Sequence, residues 1–413
     1  TRNYLQDNMG MSYIKPESAG NAFITALSQQ KLNGEMPDGI LLYEDAELKY
    51  INQVPHSDHC VWLPICLKAY LDETNDYDLL SKQVPFANSS GISTLSGHIS
   101  GAMDWLLKNR DQRGLSYIDQ GDWNDPMNMV GYKGKGVSGW LTMATSYALQ
   151  IWADIIENNQ NLTGANGFRA AAAEMNDAIN KHLWDGSWYA RGITDNNKLF
   201  GTKHDKEGRI FLNTQSWALL CGCADKLQTK ALIKAVEEQL ETPYGVELVA
   251  PAFTAMREDI GRMTQKYPGY AENGSVYNHA SAFYIYALYS IGEYNGAYRI
   301  LRKMIPGPDI NDSRRRGQMP LFIPNYYRGA YRQFPETAGR SSHLFNTGAA
   351  SWMYRCLIDG LLGLQGSREG LKINPQLPDE WEDAIITRYY AGAEFNIQIT
   401  REPGLDRMSI TLD

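Results

Sequence analysis

Residues 138–158 read Ser138-Gly-Trp-Leu-Thr-Met-Ala-Thr-Ser-Tyr-Ala-Leu-Gln-Ile-Trp-Ala-Asp-Ile-Ile-Glu-Asn158. Trp140, Leu141, Ala144, Tyr147, Ala148, Ile151, Trp152 and Ile155 recur at the i, i+3, i+4, i+7 spacing of one helical face. Ser138 stands just before the run, where its hydroxyl can accept a free N–H of the first turn, and is read as an N-cap. The same periodicity predicts helices at roughly 18–33, 59–73, 95–108, 167–184, 214–224, 229–239, 279–291, 293–303 and 347–363. About ten helices with paired spacing and no βαβ rhythm predict a mainly α fold. Its expected architecture is an (α/α)6 toroid (barrel) rather than a bundle, with the long Gly-, Asn- and aromatic-rich loops gathered around a cleft. No residue-level repeat is visible, which disfavours a solenoid.

The pattern changes after Gly366. Leu371–Asn374, Ala384–Tyr390, Ala393–Thr400 and Met408–Leu412 alternate apolar and polar residues between Pro, Gly and Asp turns, as strands do. A catalytic helical domain over 1–364 and a small C-terminal antiparallel β-domain over 365–413 are expected. Four strands with one buried face are marginal alone, so the second should pack on the first.

Bulk composition narrows the function. Apolar residues are 43% of the 413 and charged residues 21%, ordinary for a globular protein with a sizeable core. No window has the uninterrupted apolar length of a membrane span. A net charge of −8 leaves no basic face to offset phosphates, so a nucleic-acid partner is not expected. Arg314-Arg315-Arg316 is the exception, read as a solvated loop or an anion contact. The cysteines (Cys60, Cys66, Cys221, Cys223, Cys356) are odd in number and mostly sit in apolar helical patterns. They read as reduced, buried thiols of a cytoplasmic protein. His56-Ser-Asp58-His59 invites a metal, but no third ligand group stands out, so a loop-and-cap role is preferred and no metal is expected.

Five loop segments are too polar and aromatic for simple connectors: Arg2-Asn-Tyr4-Leu-Gln6-Asp7, Gly121–Val130, Gly261–Tyr270, Glu272–His279 and Asn346–Trp352. The second contains Asp122-Trp123-Asn124-Asp125. An indole packs on the apolar face of a pyranose while a neighbouring acid gives a proton to a glycosidic oxygen. A plain Asx-rich turn capping the next helix is the structural alternative. Thr347-Gly348 opens a helix, where backbone N–H groups, a hydroxyl and the dipole suit an anion such as phosphate. His279, at the start of another apolar helix, offers a second donor. An ordinary N-cap and a satisfied core histidine are the alternatives for these two.

Taken in order, the arginine-containing opening, Asp-Trp-Asn-Asp, Glu-Asn-Gly-(x)4-His and Thr-Gly-(x)3-Trp resemble the glycoside hydrolase family 94 phosphorylases, over essentially the whole chain. The resemblance implies phosphorolysis of a β-glucoside with inversion, inorganic phosphate being a co-substrate and no cofactor being needed. It implies that Asp125 is the general acid, that Arg2, Asp7 and Trp123 bind the non-reducing sugar, and that Glu272 faces the acceptor. It implies that His279, Thr347 and Gly348 hold phosphate. The chemistry agrees, because phosphate is already a nucleophile and a phosphorylase needs one acid plus an anion site, not two carboxylates. Asp122 is then expected to orient the loop.

Arg262 and Lys266, four residues apart before Glu272, suggest an acceptor with a carboxylate. The expected reaction is cellobionic acid plus phosphate giving α-D-glucose 1-phosphate and D-gluconate, with cellobiose or chitobiose as alternative substrates. Solvated loop charges, or a role in binding phosphate, are the other readings of that pair. An inverting hydrolase and an inactive carbohydrate-binding fragment are the competing functions. The family's N-terminal β-sandwich and helical linker are absent from the sequence, which begins at Thr1. A separate N-terminal portion and a homodimer are therefore both considered.

Overall fold

The computed structural model describes residues 1–43, 45–47, 55–159, 161–317, 323–342, 348–402 and 408–411. The chain is mainly helical. Its helices are α1 (Arg2–Met11), α2 (Pro16–Leu27), α3 (Trp62–Thr74), α4 (Leu95–Lys108), α5 (Gly139–Asn158) and α6 (Leu162–Leu183). They continue with α7 (Leu212–Cys221), α8 (Lys226–Gln239), α9 (Asn278–Ser290), α10 (Tyr294–Met304), α11 (Ile310–Arg316) and α12 (Ala349–Arg355). Short antiparallel pairs lie between them, such as Val137–Ser138 beside Gly192–Ile193, which in turn pairs with Leu199–Phe200.

Local signals explain several of these bounds. Ser138 accepts the Leu141 N–H at 2.9 Å and caps α5. Asp225 and Gln228 form a reciprocal capping box on α8. Asn161 caps α6, which starts five residues before its expected bound because Gly164 and Gly167 lie inside the helix. The stretch expected as one helix from 347 runs as α12 and then a π-helical turn, Cys356–Leu361.

Two helices were not expected. Arg2–Met11 reads as a polar loop, yet it is α1; Leu5, Gln6 and Met9 are buried, Arg2 and Asn3 line cavities, and Asp7 accepts the Gly348 N–H. Arg314-Arg315-Arg316 forms the last turn of α11 instead of a solvated loop. Arg316 is buried, pairs with Asp312 at 2.8 Å and stacks over Tyr327, while Arg315 donates to the Glu336 carbonyl at 3.0 Å. Aromatic faces and carbonyls supply what water or an anion would otherwise supply.

Neighbouring helices meet in the order α1, α3, α5, α7, α9, α12 and back to α1. The second helix of each pair packs outside, α6 on α5 and α10 on α9. Where the first set converges, the core is aromatic. Trp62 of α3, Trp140 of α5, Trp217 of α7, Phe283 of α9 and Trp352 of α12 are all fully buried. Their rings touch in succession: Trp62–Trp140 at 6.1 Å, Trp140–Trp217 at 5.5 Å, Trp217–Phe283 at 5.3 Å and Phe283–Trp352 at 4.9 Å. Such large rings bury 150–250 Å² each (roughly, for the class) and hold the helices in one arrangement.

Two hairpins follow, Leu364–Ser367 with Gly370–Ile373 and Asp383–Tyr390 with Ala393–Thr400. The strand expected at Met408–Leu412 is not formed over the described residues 408–411, which are exposed and irregular. Leu364–Ser367 pairs in its place. The hairpins dock on the end of α3: Tyr390 donates to the Asp72 carbonyl at 3.2 Å, and Arg388 grips Glu73 with two contacts of 2.5 Å. All five cysteines are buried and free. No described helix is long and apolar enough to cross a membrane.

Candidate active site

The loop carrying Asp122 and Asp125 is fixed from below. Asp122 is fully buried and meets Arg191, also fully buried, through both carboxylate oxygens at 2.6 Å. Ser138 donates to the same carboxylate at 2.6 Å, and the Asn124 N–H at 2.9 Å. Asp122 thus ties the loop to the cap of α5, and its oxygens have no access to a ligand. Asp125, three residues on, has its side chain 49% exposed.

Around Asp125 the structure gathers distant segments. A cavity of about 180 Å³ is lined by Arg2, Asn3, Trp123, Asp125, Glu272, Tyr277, His279 and Asn325. A second, of about 380 Å³, shares Arg2 and Asp125 and adds Asp38, His56, His59 and Arg262. Five of the residues singled out from sequence (Arg2, Trp123, Asp125, Glu272 and His279) therefore face one space. Asn128 anchors the backbone of Arg262 beside the larger cavity: its Oδ1 accepts the Arg262 N–H at 3.0 Å, and the Met263 N–H reaches the Pro126 carbonyl at 3.0 Å. Gly261, at φ +110°, is needed there, because a Cβ would stand 2.4 Å from Asn128 Oδ1.

Several expected residues take other positions. Lys266 lines neither cavity and is ion-paired with Glu272. Asp7 lines neither cavity, and its Oδ1 accepts the Gly348 N–H at 2.8 Å. Burial raises the Asp7 pKa, and that N–H partly offsets the rise. Gly348 lies against His279: a Cβ on it would be 2.9 Å from the His279 ring. Its φ of +65° favours glycine for a second reason. Thr347 lies outside the described residues. Trp123 is only 6% exposed, its ring meeting Tyr277 at 5.3 Å, His279 at 5.4 Å and Phe283 at 5.8 Å. The aromatic core thereby continues up to the cavity wall.

Electrostatics separates the two histidines of interest. Burial, reinforced by the Arg2 charge, pushes the His279 pKa down to about 3, so the ring is neutral. Gln6 Oε1 sits 2.8 Å from His279 Nε2 and accepts the Trp352 indole N–H at 2.7 Å, which puts the His279 proton on Nε2. Burial also opposes charge on His56, but its hydrogen bond to Asp38 and the fields of Asp125, Asp38 and Asp58 outweigh that and raise its pKa. Arg2 is held by Asp58 at 3.0 Å and by Asp125 at 2.5 Å.

Gln6, Asp38, Asp58 and Arg191 were not singled out as functional positions, although Asp58 lay inside the noticed His-Ser-Asp-His segment. Asp38 supplies the third donor group that the sequence did not reveal for a metal. Its Oδ1 lies 2.8 Å from His56 Nδ1 and 2.7 Å from His59 Nε2, close enough for the three to enclose an ion. In this structure those atoms satisfy one another.

The chain belongs to the glycosyl hydrolase 94 superfamily, whose catalytic-domain profile matches residues 1–363. Over 97% of its length it is 58% identical to a cellobionic acid phosphorylase of Neurospora crassa, spanning 51% of that protein. Over its full length it is 35% identical to a 3-O-beta-D-glucopyranosyl-beta-D-glucuronide phosphorylase of Paenibacillus borealis, spanning 53% of it. The chain thus covers about half the length of these curated relatives. Its fold is similar to that of a GH63 mannosylglycerate hydrolase from Thermus thermophilus, with a TM-score of 0.60 at 12% identity over 85% of this chain and 92% of that one.

Proposed function

We propose that the chain is the catalytic part of an inverting disaccharide phosphorylase acting on cellobionic acid and phosphate to give α-D-glucose 1-phosphate and D-gluconate. The observation that carries this is the separation of the two motif aspartates. Asp122 is sealed against Arg191, while Asp125 stands half exposed beside Arg2 and His279. A site with one available carboxyl and an adjoining polar pocket suits a nucleophile that needs no activation.

In this reading Asp125 protonates the glycosidic oxygen as that bond breaks. Phosphate, held by Thr347, Gly348 and His279, whose Nδ1 accepts a phosphate hydroxyl while Nε2 is engaged by Gln6, attacks the anomeric carbon from the opposite face. Arg2, Asp7 and Trp123 keep the donor-sugar role, Glu272 the acceptor role. Arg262 lines the larger cavity beside Asp125 and is the better placed cation for an acceptor carboxylate, with Lys266 acting through Glu272. The names of both relatives above, a cellobionic acid and a glucuronide phosphorylase, refer to acid sugars and support that choice over cellobiose or chitobiose.

The order of helix contacts supports an (α/α)6 toroid with an inner ring of α1, α3, α5, α7, α9 and α12. The division at residues 364 and 365, a cytoplasmic location, a homodimer and an additional N-terminal portion belong to the same reading. Sedimentation of the purified protein tests the dimer.

The direct test is phosphate-dependent release of glucose 1-phosphate from cellobionic acid, abolished by Asp125→Asn. Equal turnover without phosphate would favour an inverting hydrolase, and sugar binding without turnover an inactive fragment.

A further inference from the structure

His56 has no part in the scheme so far, yet it touches the proton donor. Its Nε2 lies 3.6 Å from Asp125 Oδ1, and this nitrogen is buried with no hydrogen-bond partner among the described residues. On the other side of the ring, Nδ1 is 2.8 Å from Asp38 Oδ1. Asp38 is itself held by His59 at 2.7 Å. The backbone is shaped to admit this imidazole. Ser57 N–H bonds to the Gly121 carbonyl at 3.0 Å, and a Cβ on Gly121, at φ +149°, would come within 2.7 Å of His56 Cδ2.

Arg2 donates to the same oxygen of Asp125 that His56 faces. Oδ1 is therefore approached by cationic or N–H groups from two sides, and Oδ2 has no described partner. A proton that joins the carboxyl goes to the oxygen whose lone pairs are unengaged.

Resting on the reading of Asp125 as general acid, we propose that His56, oriented by Asp38, is a positioning residue for Asp125. It holds Oδ1 inward, so that Oδ2 carries the transferable proton toward the glycosidic oxygen. Asp38 fixes the ring through Nδ1, which leaves Nε2 to meet Asp125; this is how a carboxylate sets the working nitrogen of a histidine. The same arrangement receives the carboxylate after the proton has left, when the charge returns to Asp125.

The test compares His56→Ala, His56→Gln and His56→Asn, with Asp38→Asn, in phosphorolysis. A Gln amide reaches the place of Nε2, whereas an Asn amide reaches that of Nδ1. His56→Ala is expected to lower kcat about tenfold to a hundredfold, the range for a misaligned catalytic group, with KM for phosphate within about twofold. His56→Gln should recover several-fold of that loss and His56→Asn none. A kcat for His56→Ala within about twofold of the parent overturns the proposal, as does equal recovery by Gln and Asn. A second measurement needs no turnover. In nitrogen-15 spectra of the histidine rings, Asp125→Asn should move the His56 resonances and leave those of His98 in place. His98 is hydrogen-bonded to Gln30 and Val84, remote from the site. An unmoved His56 signal overturns the proposal even if the parent shows no phosphorolysis, an outcome that would by itself count only against the phosphorylase reading.

Discussion

Replacing Arg191 by Met removes the cation beneath the loop that carries Asp122 and Asp125 while keeping most of its volume. Four hydrogen bonds disappear: two to Asp122 at 2.6 Å, one to Ser138 Oγ at 3.0 Å and one to Asn124 Oδ1 at 3.2 Å. Asp122 then keeps only the Ser138 hydroxyl and the Asn124 N–H, at a fully buried position. Removing one partner of a buried ion pair typically costs about 3–5 kcal/mol, because the remaining charge is uncompensated. Against total stabilities of about 5–15 kcal/mol, that is a loss of roughly two to four powers of ten in the folded-to-unfolded ratio. Asp122→Asn should cost a similar amount from the other side. Combined, the two substitutions leave a neutral pair, and the double variant should be less destabilised than the sum by at least about 2 kcal/mol. Urea denaturation followed by tryptophan emission measures all four corners of this cycle. Single variants each costing under about 1 kcal/mol, or strictly additive effects, would refute the claim that Asp122 is a structural counter-ion.

Glu247 is buried with its pKa pushed up to about 7 by burial, the Tyr331 N–H on its Oε1 (2.7 Å) offsetting part of the rise. The folded state thus binds this proton more tightly than the unfolded chain, whose value is near 4.5. The contribution is complete below that value and is lost as pH rises through 7, so Glu247→Gln should stabilise by on the order of 2–3 kcal/mol at pH 8 and give no gain near pH 4; equal gains at both would refute it in thermal melts. His279 has the opposite sign. With its pKa lowered from 6.5 to about 3, the unfolded state binds the extra proton between these values, and stability falls as pH drops through that window. His279→Gln should flatten the pH dependence there by up to one proton, measured by denaturation at several pH values; an unchanged slope would show that His279 is not buried neutral. Arg262→Ala should raise KM for gluconate in the reverse reaction about tenfold or more, about 1.4 kcal/mol, and that for glucose less than twofold; equal losses would remove the acid-reading role.

Much of the helical frame was legible because a helix that buries one face must repeat its apolar residues at a fixed spacing. The Trp140–Ile155 pattern, the Ser138 cap and the Asp225–Gln228 box all act within a few residues of one another. α1 escaped for the same reason in reverse: Arg2, Gln6 and Asp7 are polar because they face a cavity, Trp352 and Gly348, and so resemble a loop. The candidate site was legible where polar and aromatic groups concentrate in one segment, as in Asp122-Trp123-Asn124-Asp125. It was illegible where one partner sits far away, as with Arg191 under Asp122 or Asp38 beside His56.

Sequence alone therefore determined the mainly helical class, the short-range caps and the identity of the chemical groups in each loop, since these depend on local periodicity and side-chain type. Tertiary structure alone decided how those groups divide the work. Asp122 and Asp125 stand three residues apart with the same carboxylate. Only the packing of Arg191 beneath one, and of Arg2 and His56 beside the other, buries the first as a fixed counter-ion and leaves the second facing the cavity.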